Sequence, residues 1–340
     1  MTVPLTVVIP AHAHDERLDA LLRALDAQAR DEGVELPVIV SDDAARSPID
    51  AHLRRDELSS LDLRVARGES NGGPGAARNR ALPLVETPWV ALMDSDELPG
   101  PGWLALLTGI VSREDAPDGI EGRVTAGDER ATPFTHVTEV SAADDEHVAG
   151  NVAFRTDVLR EAGGFSEHFF DPSRGLHFRE DIELYFRLRA AGRRIEYRDD
   201  LVALHPPLAP SFGVPLREAR RYYFDPLLSR LHPQQFRDSN GARRVGPVPL
   251  RRARHLAALA HGLGTLAFVA GVVASRPSIT RAGVALFSAS LAANASALSW
   301  RRRVAPGTLP QLAAAAALVP YVYLWHYYRG CLRFRHLPRL

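Results

Sequence analysis

The chain contains 340 residues, and its 41 basic and 41 acidic residues give a formal net charge of zero at neutral pH. Lysine is absent, which excludes a Walker-type phosphate loop, a Schiff-base lysine and a lysine general base. The single cysteine, Cys331, excludes an intrachain disulfide and a cysteine-based zinc cluster. This length allows one large domain or two ordinary ones.

The charges are divided along the chain. Every Asp and Glu lies at or before Asp238, and the charged residues that follow are all arginine. We therefore expect a folded domain over residues 1–238, with halves at 1–100 and 101–238. A basic linker at 239–254 would join it to a different kind of region at 255–340. No signal peptide is evident before the first strand, so the N-terminal part is expected to face the cytoplasm.

Strand and helix patterns alternate over the first hundred residues. Short apolar or β-branched runs predict strands, and leucines at helical spacing predict helices. The expected elements are a strand at 5–9, a helix around 18–25, strands at 38–40 and 61–65, a helix at 75–85 and a strand at 89–93. This order predicts an α/β fold with a mostly parallel, Rossmann-like sheet flanked by helices, and ligands at the carboxyl ends of its strands.

Two carboxylates directly follow the last of these strands. The apolar run Val90–Met93 enters Asp94-Ser95-Asp96. Because side chains alternate along an extended chain, Asp94 and Asp96 are expected on one face at the end of the strand. Hard oxygen ligands in this position suit Mg²⁺ or Mn²⁺ bound together with a substrate phosphate. The same spacing is common in ordinary turns, so its meaning depends on the motifs around it.

The middle of the chain has a mixed pattern. Helices are expected at residues 103–111, 156–162 and from about residue 180, and strands at 119–124 and 202–204. A polar stretch at 125–147 separates two of these elements. Repeated prolines between residues 205 and 249 predict a wrap-around segment and linker.

Three apolar stretches occupy the C-terminal region, at residues 255–275, 282–300 and 309–328. The first and third approach the ~20 residues needed to cross a bilayer, and the second is marginal. Arginines flank each stretch, and aromatic residues between Tyr321 and Tyr328 form a belt at one end. We expect transmembrane or membrane-interface helices, since a soluble helical hairpin usually carries mixed charges. The flanking arginines leave the orientation and the number of spans open.

Seven short motifs occur in one order within the first 205 residues. They are Val7–Ala11, Val40–Asp43, Asn71–Asn79, Asp94–Asp96, Gly150–Arg155, Gly163–Phe165 and Arg179–Asp181. This ordered set resembles the family 2 glycosyltransferases, and the resemblance covers roughly residues 3–205. It implies a GT-A fold, a nucleotide-diphosphate sugar as donor, and transfer with inversion.

The resemblance assigns residues to the donor side of the site. Pro10 and Ala11 would pack on the nucleoside, and Asp43 would read the base, although two acids at a strand end also form a simple Asx-turn. Arg78 is the candidate cation facing the nucleotide. Asp94 would lie at the ribose or support the metal ligand.

A glycine-rich segment at residues 72–75 opens a predicted helix. Its free N–H groups could face phosphate or ribose oxygens. Glycine and proline are also ordinary turn residues, so the segment alone does not define a site.

The remaining assignments concern metal and catalysis. Asp96 is the expected metal ligand, and His205 the candidate further ligand, with a structural role for His205 equally open. Asp181 is the expected general base, placed at a helix N-terminus where a carboxylate is stabilised; simple helix capping is the alternative. The acceptor-side candidates are Gly150, Asn151 and Glu180.

The sequence therefore predicts a membrane-anchored, metal-assisted inverting glycosyltransferase with its catalytic domain facing the cytoplasm. The expected partners are a nucleotide-sugar donor, with a UDP-sugar as the family expectation, a lipid-linked or envelope glycan acceptor, and membrane lipids; nucleic acid is not expected. Two alternatives remain. A transferase of the same fold could load sugar onto a polyprenyl phosphate, or a non-catalytic GT-A domain could hold a nucleotide or partner.

Overall fold

The structure is a computed structural model that describes residues 3–127, 131–141, 149–239, 244–245, 247–300 and 302–338. These residues form two compact units. The first runs to Pro206 but omits a short segment that ends at Val137; the second comprises that segment and the residues from Pro207 onward. Residues 128–130 and 142–148 of the polar stretch lie outside the described residues, as do parts of the expected basic linker. The domain boundaries proposed from the sequence stay a prediction.

The first unit is built around one mixed sheet. Its strands are β1 (Leu5–Ala11), β2 (Leu36–Asp42), β3 (Leu61–Arg67), β4 (Trp89–Met93), β5 (Leu98–Pro99), β6 (Gly119–Thr125), β7 (Asn151–Arg155) and β10 (Ile195–Leu204), and a separate hairpin holds β8 (Phe170–Asp171) and β9 (Leu176–His177). Among the described residues the sheet order is β3-β2-β1-β4-β7-β6-β10-β5. Neighbouring strands from β3 to β4 are parallel, β7 is antiparallel to both of its neighbours, and β6 is parallel to β10. The predicted mostly parallel sheet is confirmed.

Helices cover both faces of this sheet. They are α1 (Glu16–Asp31), α2 (Gly73–Ala81), α3 (Trp103–Val111), α4 (Thr156–Glu161) and α5 (Glu180–Ala190). Alternate residues of β1 enter two separate cores: Val7 and Ile9 pack with α1 and α3, whereas Val8 packs with the faces of α2, α4 and α5. The period of two along a strand that is covered on both sides produces this division.

Local signals place the first helix. Asp15 caps α1, since its carboxylate accepts the backbone N–H groups of Arg17 and Leu18, both at 3.1 Å. The leucines at helical spacing that predicted this helix are buried against the sheet; they are Leu18, Leu21, Leu22 and Leu25. Helix α1 begins just after β1, and its N-terminal turn lies close to the end of β4, where Nη1 of Arg17 is 3.6 Å from Oδ2 of Asp96.

The second unit is helical. It contains α6 (Gly213–Arg220), α7 (Asp225–Leu231), α8 (Pro233–Asp238), α9 (Leu250–Val273), α10 (Pro277–Ser299) and α11 (Leu309–Phe334), with the short strands β11 (Arg244–Val245) and β12 (Val248–Pro249) before α9. The interpretation of residues 205–249 as a wrap-around linker was wrong in part, because α6, α7 and α8 lie there. Pro226 and Pro233 occupy the first turns of α7 and α8, where a proline begins a helix instead of breaking it.

Three helices are long and apolar enough to cross a membrane: Leu250–Val273, Pro277–Ser299 and Pro306–Phe334. Their mean hydropathies over the most apolar window are 1.9, 1.3 and 1.2. The three predicted apolar stretches are confirmed as helices, and each extends beyond the stretch predicted from sequence at one end or at both.

Candidate active site

The carboxyl end of β4 carries the two predicted carboxylates. Every residue of β4 is buried between β1 and β7, and the chain leaves the sheet at Asp94. Arg78, which is 5% exposed on α2, places Nη2 2.5 Å from Oδ1 of Asp94. Its guanidinium carbon also lies 5.1 Å from the centre of the Phe165 ring. The predicted nucleotide-side cation and Asp94 therefore form one ion pair, which Phe165 covers on one side.

Asp96 and His205 are brought together by a short strand pair. Leu98 pairs with Leu204 between β5 and β10, so the residues that flank this pair meet at the same edge. Oδ2 of Asp96 lies 3.6 Å from Nε2 of His205, and Nη1 of Arg17 is also 3.6 Å from Oδ2. His205 is 3% exposed. The two residues predicted as metal ligands are thus neighbours in space.

The donor atoms of this pair fit a divalent metal only in part. A carboxylate oxygen and an imidazole nitrogen suit Mn²⁺, and carboxylate oxygens suit Mg²⁺. Within the described residues, no group of three or more His, Cys, Asp or Glu side chains could hold a metal ion. Because Mg²⁺ usually binds through one or two carboxylates together with substrate phosphates, the pair fits a site that a substrate phosphate would complete.

The two acids after β2 have separate partners. The carboxylate of Asp42 accepts the N–H groups of Ala45 at 2.7 Å and Ile49 at 3.1 Å, and it pairs with Arg67, so it closes an Asx-type turn. Asp43 is also buried, and its carboxylate points toward the glycine-rich segment. Its Oδ2 accepts the N–H of Gly73 at 2.8 Å.

The glycine-rich segment is held by that same Asp43 carboxylate. The N–H of Gly72 lies 3.0 Å from Oδ1, and Arg80 approaches the same oxygen at 3.2 Å. These N–H groups therefore bind an internal carboxylate here, whereas the sequence suggested phosphate or ribose oxygens. Gly73 has φ of +81°, and a Cβ there would lie 2.7 Å from the Phe170 ring, so both backbone conformation and space require glycine.

Pro10 and Ala11 close the strand that leads into this corner. Both are buried, and Pro10 pairs with Ser41 in the β1–β2 register. The carbonyl of Ala11 accepts the N–H of Asp43 at 2.8 Å. Nδ1 of His12 lies 2.7 Å from the carbonyl oxygen of Asp43. The predicted nucleoside-side residues are therefore adjacent to the predicted base-reading acid.

Asn79 is a structural residue of the site that sequence analysis missed. Its Oδ1 accepts the N–H of Phe165 at 2.7 Å, and its Nδ2 donates to the carbonyl of Phe165 at 2.8 Å. Gly164, with φ of +67°, is required here, since a Cβ would lie 2.4 Å from Oδ1 of Asn79. This pair of bonds fixes the ring over Arg78. Asn79 closes the Asn71–Asn79 motif, and its distance along the chain from residues 163–165 hides the contact.

Asp181 lies in the first turn of α5, where burial and the neighbouring Glu180 carboxylate raise its pKa to about 7. The N–H of Ile182, which donates to Oδ1 at 2.7 Å, and the positive charge of Arg78 oppose this rise. The preceding residue, Arg179, has φ of +82°, a strained conformation for a residue with a side chain. A carboxylate with this pKa accepts a proton at neutral pH far better than an ordinary Asp.

A small cavity of about 20 Å³ adjoins Asp181. Its other walls include Glu121, Phe154, Phe165 and Tyr185. A cavity of this size accommodates about one water molecule. The apolar side chains among these walls account for the desolvation that raises the pKa of Asp181.

Glu97 is a third carboxylate behind Asp94 and Asp96. It is 1% exposed, and neither side-chain oxygen has a hydrogen-bond partner among the described residues. Burial, reinforced by the charges of Asp94 and Asp96, raises the pKa of Glu97 well above its usual value. A Cβ at Gly150 would lie 2.3 Å from Oε1 of Glu97, so the carboxyl group packs directly on that glycine.

Asn151, a predicted acceptor-side residue, bonds to the sheet. Its Nδ2 donates to the carbonyls of Arg123 at 3.0 Å and Leu201 at 2.8 Å, and its Oδ1 accepts from Nε1 of Trp103 at 2.8 Å. At 1% exposure its amide is fully engaged. The structure thus gives Asn151 a structural role, and its acceptor role stays an untested prediction. Glu180, 7% exposed, packs near Gly75.

The sequence model of the family described as "Glycosyl transferase family 2" matches residues 6–165. Pre-mycofactocin glycosyltransferase of Mycobacterium tuberculosis (strain CDC 1551 / Oshkosh) is 28% identical over 221 residues, covering 59% of this chain and 42% of that protein. Succinoglycan biosynthesis protein ExoU of Rhizobium meliloti (strain 1021) is 26% identical over 194 residues, covering 52% and 55%. Hyaluronan synthase of Pasteurella multocida is 27% identical over 217 residues, covering 50% and 21%. The chain spans about half, or less, of the length of these curated relatives.

Solved structures share the fold. Mannosyltransferase PcManGT from Pyrobaculum calidifontis, in complex with GDP-Man and Mn²⁺, superposes with a TM-score of 0.51 at 19% identity, covering 98% of this chain and 87% of that one. S. aureus TarS 1-349, in complex with UDP-GlcNAc, gives 0.50 at 16% identity, covering 98% and 93%. These likenesses show the fold alone. Residues 6–165 form a family 2 glycosyltransferase domain with the GT-A fold, in a chain that continues into three apolar helices.

Proposed function

We propose that the chain is an inverting glycosyltransferase that moves a sugar from a nucleotide-diphosphate donor to a hydroxyl of a lipid-linked or cell-envelope glycan. The observation that carries the proposal is the pairing of Asp96 with His205, at 3.6 Å, beside the Arg78–Asp94 ion pair in a family 2 domain. One edge of the sheet thus gathers the two candidate metal ligands and a cation at the carboxyl ends of its strands, where open α/β folds bind ligands.

The donor would lie along this edge. Pro10 and Ala11 would pack on the nucleoside, Asp43 would accept from the base, and Asp94 would meet the ribose. Arg78 would orient the diphosphate by donating to a phosphate oxygen, and it would give up part of its hydrogen bonding to Asp94 to do so. Asp43 is already bonded to the N–H of Gly73, so base binding would share this carboxylate with the glycine-rich segment. A UDP-sugar is the proposed donor class.

Asp96 and His205 would hold Mg²⁺ or Mn²⁺, and a bound metal would neutralise the charge that develops on the leaving diphosphate. The fold neighbour solved with GDP-Man and Mn²⁺ supports this choice of ion. The guanidinium of Arg17 also lies 3.6 Å from the carboxylate of Asp96. Arg17 would have to move away from Asp96 when a metal cation binds there.

Asp181 would take the proton from the acceptor hydroxyl. With a pKa near 7, raised by burial and by Glu180, it can hold that proton after attack without becoming a strong acid. The proposed path is direct displacement: the acceptor oxygen bonds to the anomeric carbon, the bond to the diphosphate breaks, and Asp181 receives the proton. Gly150 and Glu180 are the proposed acceptor-side neighbours.

The acceptor is proposed to be a glycan or a lipid-linked sugar at a membrane. Relatives named for succinoglycan biosynthesis and hyaluronan synthesis support a glycan acceptor. The three apolar helices, flanked by arginine, would attach the chain to an anionic lipid surface. We place the catalytic domain on the cytoplasmic face, where nucleotide sugars are available.

The test is donor binding and hydrolysis by the detergent-solubilised chain, over UDP-, GDP- and dTDP-sugars, with Mn²⁺, Mg²⁺ or EDTA. We expect one donor to bind in a metal-dependent manner, and Asp96→Ala to remove that binding. Asp62→Ala, which removes a half-buried carboxylate on β3 that pairs with Arg64, is the matched control and should bind normally. If no donor binds with either metal, the proposal fails and a non-catalytic scaffold becomes the better account.

A further inference from the structure

Helices α9 and α10 form a close antiparallel hairpin. Nδ1 of His261 lies 2.9 Å from Oγ of Ser290. A Cβ at Gly264 would lie 2.7 Å from the backbone N of Phe287, and one at Gly271 would lie 2.4 Å from the backbone N of Thr280. These contacts run from the middle of α9 to its C-terminal end, so the two helices are antiparallel and stay together over this half of α9.

Helix α11 does not follow this hairpin. Near its N-terminus, Leu312 and Ala315 pack with Ala295 and Leu298 at the end of α10. By the α9–α10 pairing, this part of α10 lies beside the first residues of α9.

Further along, α11 lies beside the N-terminal half of α9. Tyr321 lies 5.2 Å from the ring of His261, and Tyr327 lies 4.9 Å from the ring of His255. From residue 312 to residue 327 a helix advances about 22 Å. Over that distance the contacts of α11 stay within the half of the hairpin that holds the N-terminal half of α9 and the end of α10, so α11 is inclined across the hairpin and does not run along its full length.

Both ends of α11 also meet segments that precede α9. At the N-terminal end, Phe134 joins the cluster of Leu312 and Ala315, and the carbonyl of Ala131 accepts the N–H of Arg303 at 3.0 Å. At the C-terminal end, Nη1 of Arg230 donates to the carbonyl of Phe334 at 2.9 Å. Opposite ends of a spanning helix lie on opposite sides of a bilayer, so one of these segments would have to cross it too.

Those two segments are joined to each other. The N–H of Ser211 donates to the carbonyl of Phe134 at 2.8 Å, and His136 pairs with Glu218 of α6 at 3.2 Å. Helix α6 leads through a single 3₁₀ turn into α7, which carries Arg230. This stretch lies along α11 and includes charged side chains that are exposed; they are Arg217, Glu218 and Arg230. Charged groups in hydrocarbon cost several kcal/mol each, so this stretch belongs outside the acyl region.

The face of α11 turned away from these segments is apolar and exposed. Its residues follow a three–four spacing and form what we call the aromatic stripe: Leu318, Tyr321, Trp325, Tyr328 and Leu332. Trp325 is 62% exposed and Leu332 is 80% exposed. Tyrosine and tryptophan favour the boundary between water and hydrocarbon. Every charged residue of α11 and of the chain beyond it is an arginine, which suits an anionic headgroup layer.

We infer that α11 lies in the plane of the membrane interface, across the α9–α10 hairpin, with the aromatic stripe facing the acyl chains. Two helices then remain to cross the bilayer, and α11 is amphipathic, with α6 and α7 packed on one side and lipid on the other. Length and composition alone make α11 a candidate span. The contacts at its two ends argue for the interface.

The experiment measures membrane depth along α11. In a Cys331→Ser background, a nitroxide label is placed on a cysteine at Leu318, Trp325 or Leu332, and the full chain is reconstituted in liposomes of phosphatidylglycerol and phosphatidylethanolamine. Accessibility to oxygen and to a water-soluble nickel reagent gives the depth of each label. Labels on α9 at Leu256, Leu263 and Val273, which are exposed apolar positions, provide the matched scale.

We expect the three α11 labels to report one shallow depth. In a spanning helix, Leu318 and Leu332 are separated by about 21 Å along the bilayer normal, and a gradient of that size would overturn the inference. Labels as accessible to the nickel reagent as one at exposed Glu32 would overturn it as well.

A second measurement needs no label. Fluorescence of Trp325, taken as the difference from Trp325→Phe, should be quenched most by phospholipids brominated near the headgroup. Strongest quenching by bromine near the chain ends would place α11 in the hydrocarbon and contradict the inference. Neither readout depends on catalysis, so a failed donor-binding assay leaves this test intact.

Discussion

Nε2 of His205 lies 3.6 Å from Oδ2 of Asp96, although the two residues follow strands that are not neighbours in the sheet. The link is β5, two residues long, which pairs Leu98 with Leu204 and Pro99 with Ala203. The chain that leaves β4 is thereby turned back onto the end of β10. A short antiparallel contact at the sheet edge thus brings the two candidate metal ligands together from distant parts of the sequence.

Removing either member of this pair should change the metal requirement. We expect Asp96→Ala to lose more than about 100-fold in transfer rate, since charge stabilisation at the leaving group is worth several kcal/mol. His205→Ala should raise the metal concentration for half-maximal activity by at least about 10-fold. A titration of activity with Mn²⁺ measures both. His168→Ala, an exposed histidine of the same unit, is the control. An unchanged titration for His205→Ala would leave that residue a structural role.

The raised pKa of Asp181 predicts a pH dependence with a definite sign. A general base acts when ionised, so kcat/KM should rise with pH and level off above about 7. Glu180→Gln removes the second cause of the raised pKa and should move the rise to lower pH. Asp181→Asn should lose about 10²- to 10⁴-fold in rate across the whole range. Near-normal turnover by Asp181→Asn would instead favour an acceptor that is already an anion, such as a polyprenyl phosphate.

Elements with strong local signals were predicted closely. The apolar run before Asp94 gave β4 at Trp89–Met93, and the apolar helix at Trp103–Val111 has the expected bounds. The prolines between residues 205 and 249 predict a linker only where each one interrupts a helix, whereas Pro226 and Pro233 begin helices. Whether a proline begins a helix or interrupts one depends on the residues around it, so the presence of proline alone does not distinguish the two cases.

The sequence predicted which residues lie at the candidate site, but it did not predict which hydrogen bonds they form. Motif order predicted Asp96 and His205 as ligands, and the structure shows that they are neighbours. The order of the motifs did not predict that the N–H groups of Gly72 and Gly73 bind Asp43, or that the amide of Asn151 bridges strands. Such contacts join residues far apart in sequence, and a single sequence carries no signal of which polar partner is chosen.

Asn151 offers a direct test of structural against acceptor roles. Asn151→Ala leaves the carbonyls of Arg123 and Leu201 and the indole N–H of Trp103 without their partner. Buried groups left unpaired cost about 1–3 kcal/mol each, so the melting temperature should fall clearly. Well below that temperature, the KM for acceptor should stay near its natural value. Normal thermal stability together with a raised KM would support the acceptor contact instead.

Gly150 and Glu97 should be energetically coupled. In Gly150→Ala the new methyl group would lie 2.3 Å from Oε1 and 2.7 Å from Oε2 of Glu97, so the buried carboxyl must move. We expect a loss of about 1–3 kcal/mol in the free energy of unfolding, as for other overpacked sites. Gly109→Ala is the matched control, because a Cβ there meets nothing within 4 Å and a helical glycine gains about 0.5–1 kcal/mol on becoming alanine.

The double variant separates this contact from a general intolerance of side chains at residue 150. Gly150 has no positive φ, so backbone strain is not a cause of the loss. If the carboxyl of Glu97 is the obstacle, Glu97→Ala creates the space that the methyl group needs, and Gly150→Ala should then cost much less in that background. Denaturant unfolding of the four chains in detergent, with EDTA present, gives the coupling energy. Equal costs of Gly150→Ala with and without Glu97 would show that the turn itself, and not the carboxyl beside Asp94 and Asp96, requires glycine.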